Sequence, residues 1–171
     1  LVGSEMCIRD RKDRDVESLC LNASIEDNIS IAGMSEFAIN NFLILKNREK
    51  KYVNHQIEEL SIKCAGRDQS VSQLSGGNKQ KVVFGKWIGC GSEILILDCP
   101  TRGVDIGVKQ AMYQLMVRLK NEGKSILMIS EELPELIGMS DRILIMKNGE
   151  VSAEFERSET LSDAQIIEYM I

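Results

Sequence analysis

The chain has 171 residues, 43% hydrophobic and 27% charged, which is the composition of a soluble globular domain and excludes collagen, coiled coil and disorder. With 26 acidic against 21 basic side chains the formal net charge is −5, which counts against a nucleic-acid-binding domain, normally basic overall. The 5 cysteines, at positions 7, 20, 64, 90 and 99, form neither a disulfide framework nor a zinc spacing and fit a reducing cytosol; no apolar stretch approaches the roughly 20 residues of a membrane span.

The string at 1–11 reads like a translated sequencing adapter. It is set aside from the fold as non-native, with the chain expected to be cut on its N-terminal side. Residues 20–70 read as helical, with Ser24 as N-cap and Asp27 at the third helical position. A longer helix is expected over 48–62, with Val53, Ile57 and Leu60 on one face. Ser75 precedes the apolar pairs Val83/Phe84 and Trp87/Ile88, which mark a helix face. Residues 94–97, 126–129 and 143–146 are short unbroken apolar runs, suited to strands covered on both faces, as in a parallel sheet. Between the first two, Val108, Ala111, Met112, Leu115, Met116 and Leu119 follow the helical template, so a βαβ crossover is expected. Asn148-Gly149 is a two-residue hairpin signal. Ser162 and Gln165 form a capping box that opens a last helix reaching Ile171.

Three segments carry chemistry. In Leu74-Ser75-Gly76-Gly77-Asn78-Lys79-Gln80-Lys81, the two glycines leave backbone N–H groups open to a phosphate. Lys79 and Lys81 sit in the first turn, where the helix dipole disfavours cations by roughly 0.3–1 kcal/mol each, a penalty that a bound anion reverses. The bland alternative is a glycine-containing cap with two solvated lysines. Next, the 94–97 run delivers Asp98 to the C-terminal end of a buried strand, the edge where open α/β sheets bind ligands. A carboxylate there holds Mg²⁺ through water beside phosphates, or merely starts a turn before Pro100. Last, Thr101-Arg102-Gly103-Val104-Asp105-Ile106-Gly107 is a tight loop in which Asp105 is well placed to cap the following helix.

Together, Leu-Ser-Gly-Gly at 74–77, the strand ending in Asp98 and the Pro-Thr-Arg-Gly-Val-Asp loop at 100–105 resemble the ATP-binding cassette ATPases. The spelling, with Ser-Glu-Glu-Leu-Pro-Glu at 130–135, is similar to the second cassette of tandem ATP-binding proteins that drive bacterial import of monosaccharides such as ribose or galactose. The resemblance implies an α/β fold, a truncated P-loop NTPase with a parallel sheet flanked by helices. It also implies a helical subdomain over about 20–73, a signature-helix and Asp98 half of the core over 74–150, and a C-terminal strand and helix over 151–171, all within a partial nucleotide-binding domain at 12–171. ATP and Mg²⁺ are the implied cofactors. The implied partners are a first cassette on the same longer chain, membrane-spanning permease subunits and, indirectly, a sugar-binding protein, with no nucleic acid, at the cytoplasmic face of the membrane. ATP binding and hydrolysis would close and reopen the cassette pair and so drive sugar passage. A nucleoside or other small-solute importer, and a non-catalytic half, stand as alternatives.

The 171 residues contain no P-loop, G-x-x-x-x-G-K-[ST]. Gly123-Lys124-Ser125 is a decoy: Arg118 stands where the first glycine belongs, and the segment leads from a helix into a strand. By resemblance Ser75, Gly76, Gly77, Asn78 and Gln80 would serve, in trans, an ATP held by the other cassette, while Asp98 and Asp105 belong to this half's own site. There Cys99 replaces the usual glutamate, and a thiol with an ordinary pKa near 8.5 is a poor base; Glu131 replaces the usual switch histidine. No catalytic residue of that site is intact, and the isolated chain is expected to be inactive. His55, the single histidine, and the basic run at 46–51 read as solvated helix surface, though the resemblance leaves that run open to docking. Met112, Met116 and Met128 read as core, and Cys20, Cys64 and Cys90 as small apolar fillers.

Overall fold

A computed structural model describes residues 7–10, 18–39 and 43–170. It divides the chain into two compact units, Leu1–Leu127 and Met128–Ile171. The first holds β1 (Cys7–Asp10), α1 (Ile25–Ser30), α2 (Met34–Phe37), β2 (Ala38–Ile39), β3 (Leu43–Ile44), α3 (Lys46–Glu59), α4 (Gly76–Ile88), β4 (Ile94–Asp98), α5 (Ile106–Asn121) and the start of β5 (Ser125–Ile129).

The sheet of this unit runs in the order β1-β4-β5, with β1 parallel to β4 and Cys7 opposite Ile94. The opening segment, expected to stand outside the fold, therefore supplies a strand. Backbone pairing alone accomplishes this: an apolar strand such as β4 offers its N–H and C=O groups to any extended neighbour. The α5 stripe is right in its buried positions, Met112, Met116 and Leu119, whereas Ala111 is exposed. The turn at Gly123 (φ +89°) hands α5 over to β5, which confirms Gly123-Lys124-Ser125 as a helix-to-strand turn.

Ahead of α4 the chain is not helical throughout. Ser24 caps α1 in a full capping box with Asp27, and buried Asn28 ties the preceding loop down through Cys20 N–H, Cys20 O and Ser24 O at 2.8–3.0 Å. But β2 and β3 pair antiparallel, Ala38 opposite Ile44, and residues 62–70 form loop. Val53 and Leu60 of the α3 stripe are buried and Ile57 is half-buried. The core joins Ile25, Ile29, Val53, Val82 and Val83, each fully buried and worth roughly 1.5–3 kcal/mol apiece. Tyr52 packs on Phe37 with ring centroids 5.4 Å apart, and its hydroxyl fills a slot bounded by Gly33 and Gly89, where an added Cβ would lie 2.1 and 2.2 Å from Tyr52 Oη.

The second unit holds α6 (Leu133–Met139), β6 (Arg142–Lys147), β7 (Glu150–Glu156) and α7 (Asp163–Met170). Its core is Ile143, Ile145 and Ile166, with Leu136 and Phe155 packed around them. Asn148 (φ +53°) and Gly149 (φ +85°) join β6 to β7, both residues in the left-handed region that a type I′ hairpin requires. This corrects the reading of 143–146 as a doubly covered strand: β6 pairs antiparallel with β7, and Leu144 and Met146 are exposed. It also puts the division of the chain at 127/128 instead of 150/151, because the hairpin holds β7 to β6. Met128 is half-buried, not core, and Cys20 is exposed, not a filler; Cys90 is buried. Ser162 N–H donates to Gln165 Oε1 at 3.0 Å, ahead of α7. The end of that helix at Ile171 lies outside the described residues.

Candidate functional site

The first turn of α4 carries the site. Leu74 is buried and anchors it, while Ser75 and Gly76 are exposed and Gly77 is half-buried. Ser75 has the extended backbone of an N-cap, but its side chain caps nothing. Its Oγ accepts a hydrogen bond from Asn78 Nδ2 at 3.0 Å, and Asn78 Oδ1 accepts Lys63 N–H at 2.8 Å. Asn78 thus holds the serine hydroxyl outside the helix, and the Ser75 side chain does not bond the first-turn N–H groups of α4, the positive end of its dipole. Lys81 donates to Ser61 O at 2.9 Å; burial and the neighbouring Lys63 hold its pKa below the ordinary lysine value. The turn is an outward-facing, cation-lined set of N–H donors, the arrangement a phosphate needs. Gln80 is a correction. It is 3% exposed and belongs to the packing of α4, so it is not a direct contact for an outside nucleotide.

β4 alternates buried Leu95 and Leu97 and ends in half-buried Asp98. The next residue, Cys99, has φ +51°, a left-handed conformation that costs a non-glycine residue roughly 1–2 kcal/mol. Pro100 and Thr101 are buried, Arg102 N–H closes onto Cys99 O at 3.1 Å, and Gly103 takes φ +67°. This sharp turn brings the chain to Asp105, whose Oδ1 accepts Val108 N–H at 2.9 Å as the N-cap of α5. The capping role foreseen for Asp105 therefore holds.

The turn at 75–77 and the start of α5 meet. A Cβ on Gly77 would lie 2.5 Å from Val108 Cγ2, so glycine there serves close packing. Glu131 lies in the second unit and is exposed. Its loop is held by Ser130, whose Oγ donates to the buried Glu135 carboxylate and accepts Glu132 N–H. His55 is exposed, 3.5 Å from Glu59 Oε2, as a surface residue should be. Two features of the site were missed in the sequence: the Lys63 anchor, a backbone group without a sequence signal, and the Asn78–Ser75 bond, which three-residue helical spacing would have signalled.

Among the described residues no group of three His, Cys, Asp or Glu could hold a metal ion, and no helix is long and apolar enough to cross a membrane.

No protein-family model matches the chain. It is 46% identical over 161 residues to the ribose import ATP-binding protein of Bacillus subtilis, and 40% identical over 160 residues to that of Clostridium tetani. Each alignment covers 94% of this chain and 32% of the relative, so the chain spans about a third of the length of the curated relatives it matches. Among solved structures, a dimeric ATP-binding cassette in a post-hydrolysis state, bound to ADP and phosphate, superposes with a TM-score of 0.74 at 17% identity, covering 89% of this chain and 63% of that one. A second ATP-binding cassette of a transporter superposes with a TM-score of 0.75 at 21% identity, covering 95% and 67%. The fold is that of these cassettes.

Proposed function

We propose that this chain is part of the ATP-hydrolysing subunit of a bacterial monosaccharide importer of the ATP-binding-cassette family, of the ribose type, and that its own contribution is to complete a nucleotide site in trans. The observation that carries this reading is the Ser75–Gly77 turn: exposed, uncapped, and with its serine hydroxyl held outward by Asn78. The residues fit a triphosphate. An anion at this end of α4 satisfies orphan N–H groups and offsets the charge of Lys79 and Lys81. The bond from Asn78 occupies a lone pair of Ser75 Oγ and leaves its O–H to donate to a phosphate oxygen. When bound, the nucleotide supplies the phosphoryl group transferred to water; the chain supplies position and charge stabilisation.

Asp98 fits Mg²⁺ only as one ligand among phosphate oxygens and waters, since no second carboxylate cluster accompanies it among the described residues. On this half's own side Cys99, whose backbone sits at φ +51°, offers a thiol in place of a base. One working site, completed by Ser75–Gly77, and one impaired site follow from that division. The partners in this reading are a first cassette on the same longer chain, membrane-spanning permease subunits and, through them, a sugar-binding protein. The subunit then sits peripherally at the cytoplasmic face of the membrane.

The test uses the full-length protein. Gly77→Asp is a compromised probe because any side chain there meets Val108. Ser75→Glu is cleaner: a carboxylate at a helix N-terminus stabilises the helix yet repels a triphosphate. It is expected to abolish ATP hydrolysis with the fold intact, whereas Cys99→Ala leaves most of it. Loss of turnover in Cys99→Ala, or normal turnover in Ser75→Glu, would refute the division of labour.

A further inference from the structure

We propose that the cleft between the end of α3, α4 and α5 binds a small organic anion with an apolar body. The cleft has a volume of about 250 Å³ and lies wholly within the first unit. Its floor is apolar, formed by Leu60, Phe84 and Leu115, and its rim carries Lys81, Arg118 and the carboxylate of Glu59. Neither cation is fully matched. Among the described residues no carboxylate pairs with Lys81, whose ammonium bonds the Ser61 carbonyl. Burial and Lys63 both disfavour its charge there, so an arriving anion relieves a cost already present. Arg118 spends Nη2 on Glu59 Oε1 at 2.8 Å, but its Nε is buried without a hydrogen-bond acceptor, the Glu122 carboxylate standing 3.7 Å off. Glu59 is itself shared with His55 at 3.5 Å. The rim therefore sets two cations against one carboxylate, Glu59, above an apolar floor.

That pairing selects the ligand's chemistry. A sugar or a nucleobase would leave the floor unused, and an uncharged hydrocarbon would leave the cations unmatched. The volume falls just below the usual range of roughly 300–1,000 Å³ for small-molecule pockets, which limits the body to one ring or a short chain. Lys81 is the one residue this proposal shares with the nucleotide reading; the apolar floor and Ala111 belong to the cleft alone, so Ala111→Trp tests the cleft without touching the 75–78 turn.

Calorimetric titration of the 171-residue chain with 4-phenylbutyrate and with its uncharged amide tests it. The carboxylate is expected to bind at least about tenfold more tightly than the amide, one decade in Kd. Lys81→Met should erase that preference. Ala111→Trp, at an exposed position of the cleft wall, should weaken both probes by obstructing the cleft without touching a charge. Far-ultraviolet circular dichroism reports whether each variant is folded; if Lys81→Met is not, the amide comparison and Ala111→Trp decide. Equal affinity for the two probes, a preference that survives in folded Lys81→Met, indifference to Ala111→Trp, or no saturable binding of either probe would overturn the proposal.

Discussion

Replacing Gly77 by alanine separates the two duties assigned to that glycine. The added Cβ would lie 2.5 Å from Val108 Cγ2, 3.2 Å from Cγ1 and 3.3 Å from Cβ, against the roughly 3.5–4.0 Å of a relaxed carbon contact. Either α4 or the start of α5 must give by about 1 Å, an overpacking cost of roughly 1–3 kcal/mol. Alanine recovers about 1 kcal/mol of helix propensity, so the net expectation is a loss of roughly 0–2 kcal/mol. Val108→Ala removes two half-buried methyl groups and costs about 1 kcal/mol alone. In that background the two closest contacts are gone and only the 3.3 Å approach to the remaining Cβ persists, so Gly77→Ala should become near neutral to stabilising, by at most about 1 kcal/mol. Urea unfolding followed through Trp87, the chain's single tryptophan and a residue of α4, closes the double-mutant cycle. The packing argument fails if Gly77→Ala has the same effect in both backgrounds. If the double variant is stable but, in the full-length protein, still loses hydrolysis, phosphate approach is the second duty.

Other expectations follow from named contacts. Gly89→Ala and Gly33→Ala each push on the same hydroxyl of Tyr52; each should cost roughly 1–3 kcal/mol, and together less than their sum in thermal unfolding. Asp105→Ala removes the cap of α5 and should cost about 1 kcal/mol, with Asp105→Asn near neutral, as read by urea midpoints. Ser24 O–H and N–H both donate to Asp27 Oδ2 and hold its carboxyl below the usual aspartate range. That contribution is complete above the unfolded carboxylate's pKa and disappears as pH falls through the lower folded one. The stability gap between the parent chain and Asp27→Asn should therefore shrink on acidification, and a gap that widened would contradict the capping box.

Local rules made much of this legible. Ser24, Asp105 and Asn148-Gly149 are residues whose backbone chemistry acts within three or four positions, and each does what its type dictates. The α5 stripe and the strand ending in Asp98 have periods long enough to read. The strands β2 and β3 are not readable in this way: two residues each, they carry no period and borrow their pairing from surrounding helices. For β6 an unbroken apolar run implied cover on both faces, yet hydropathy does not say which neighbour pairs with a strand, and a two-residue turn settled that in favour of β7. Within the site, composition marked the glycines but not Val108, which is 31 positions away in sequence and visible only as a near collision. Gln80 looked like part of a phosphate motif because it is polar; its burial shows that helix phase, not polarity, decides which side chains of that turn look outward.

The phenol ring of Tyr52 works as a keystone. Seated against the glycine before α2 and the glycine after α4, it makes three helices share one fulcrum. The end of α4 it touches lies one helix length, 13 residues and roughly 20 Å, from Ser75.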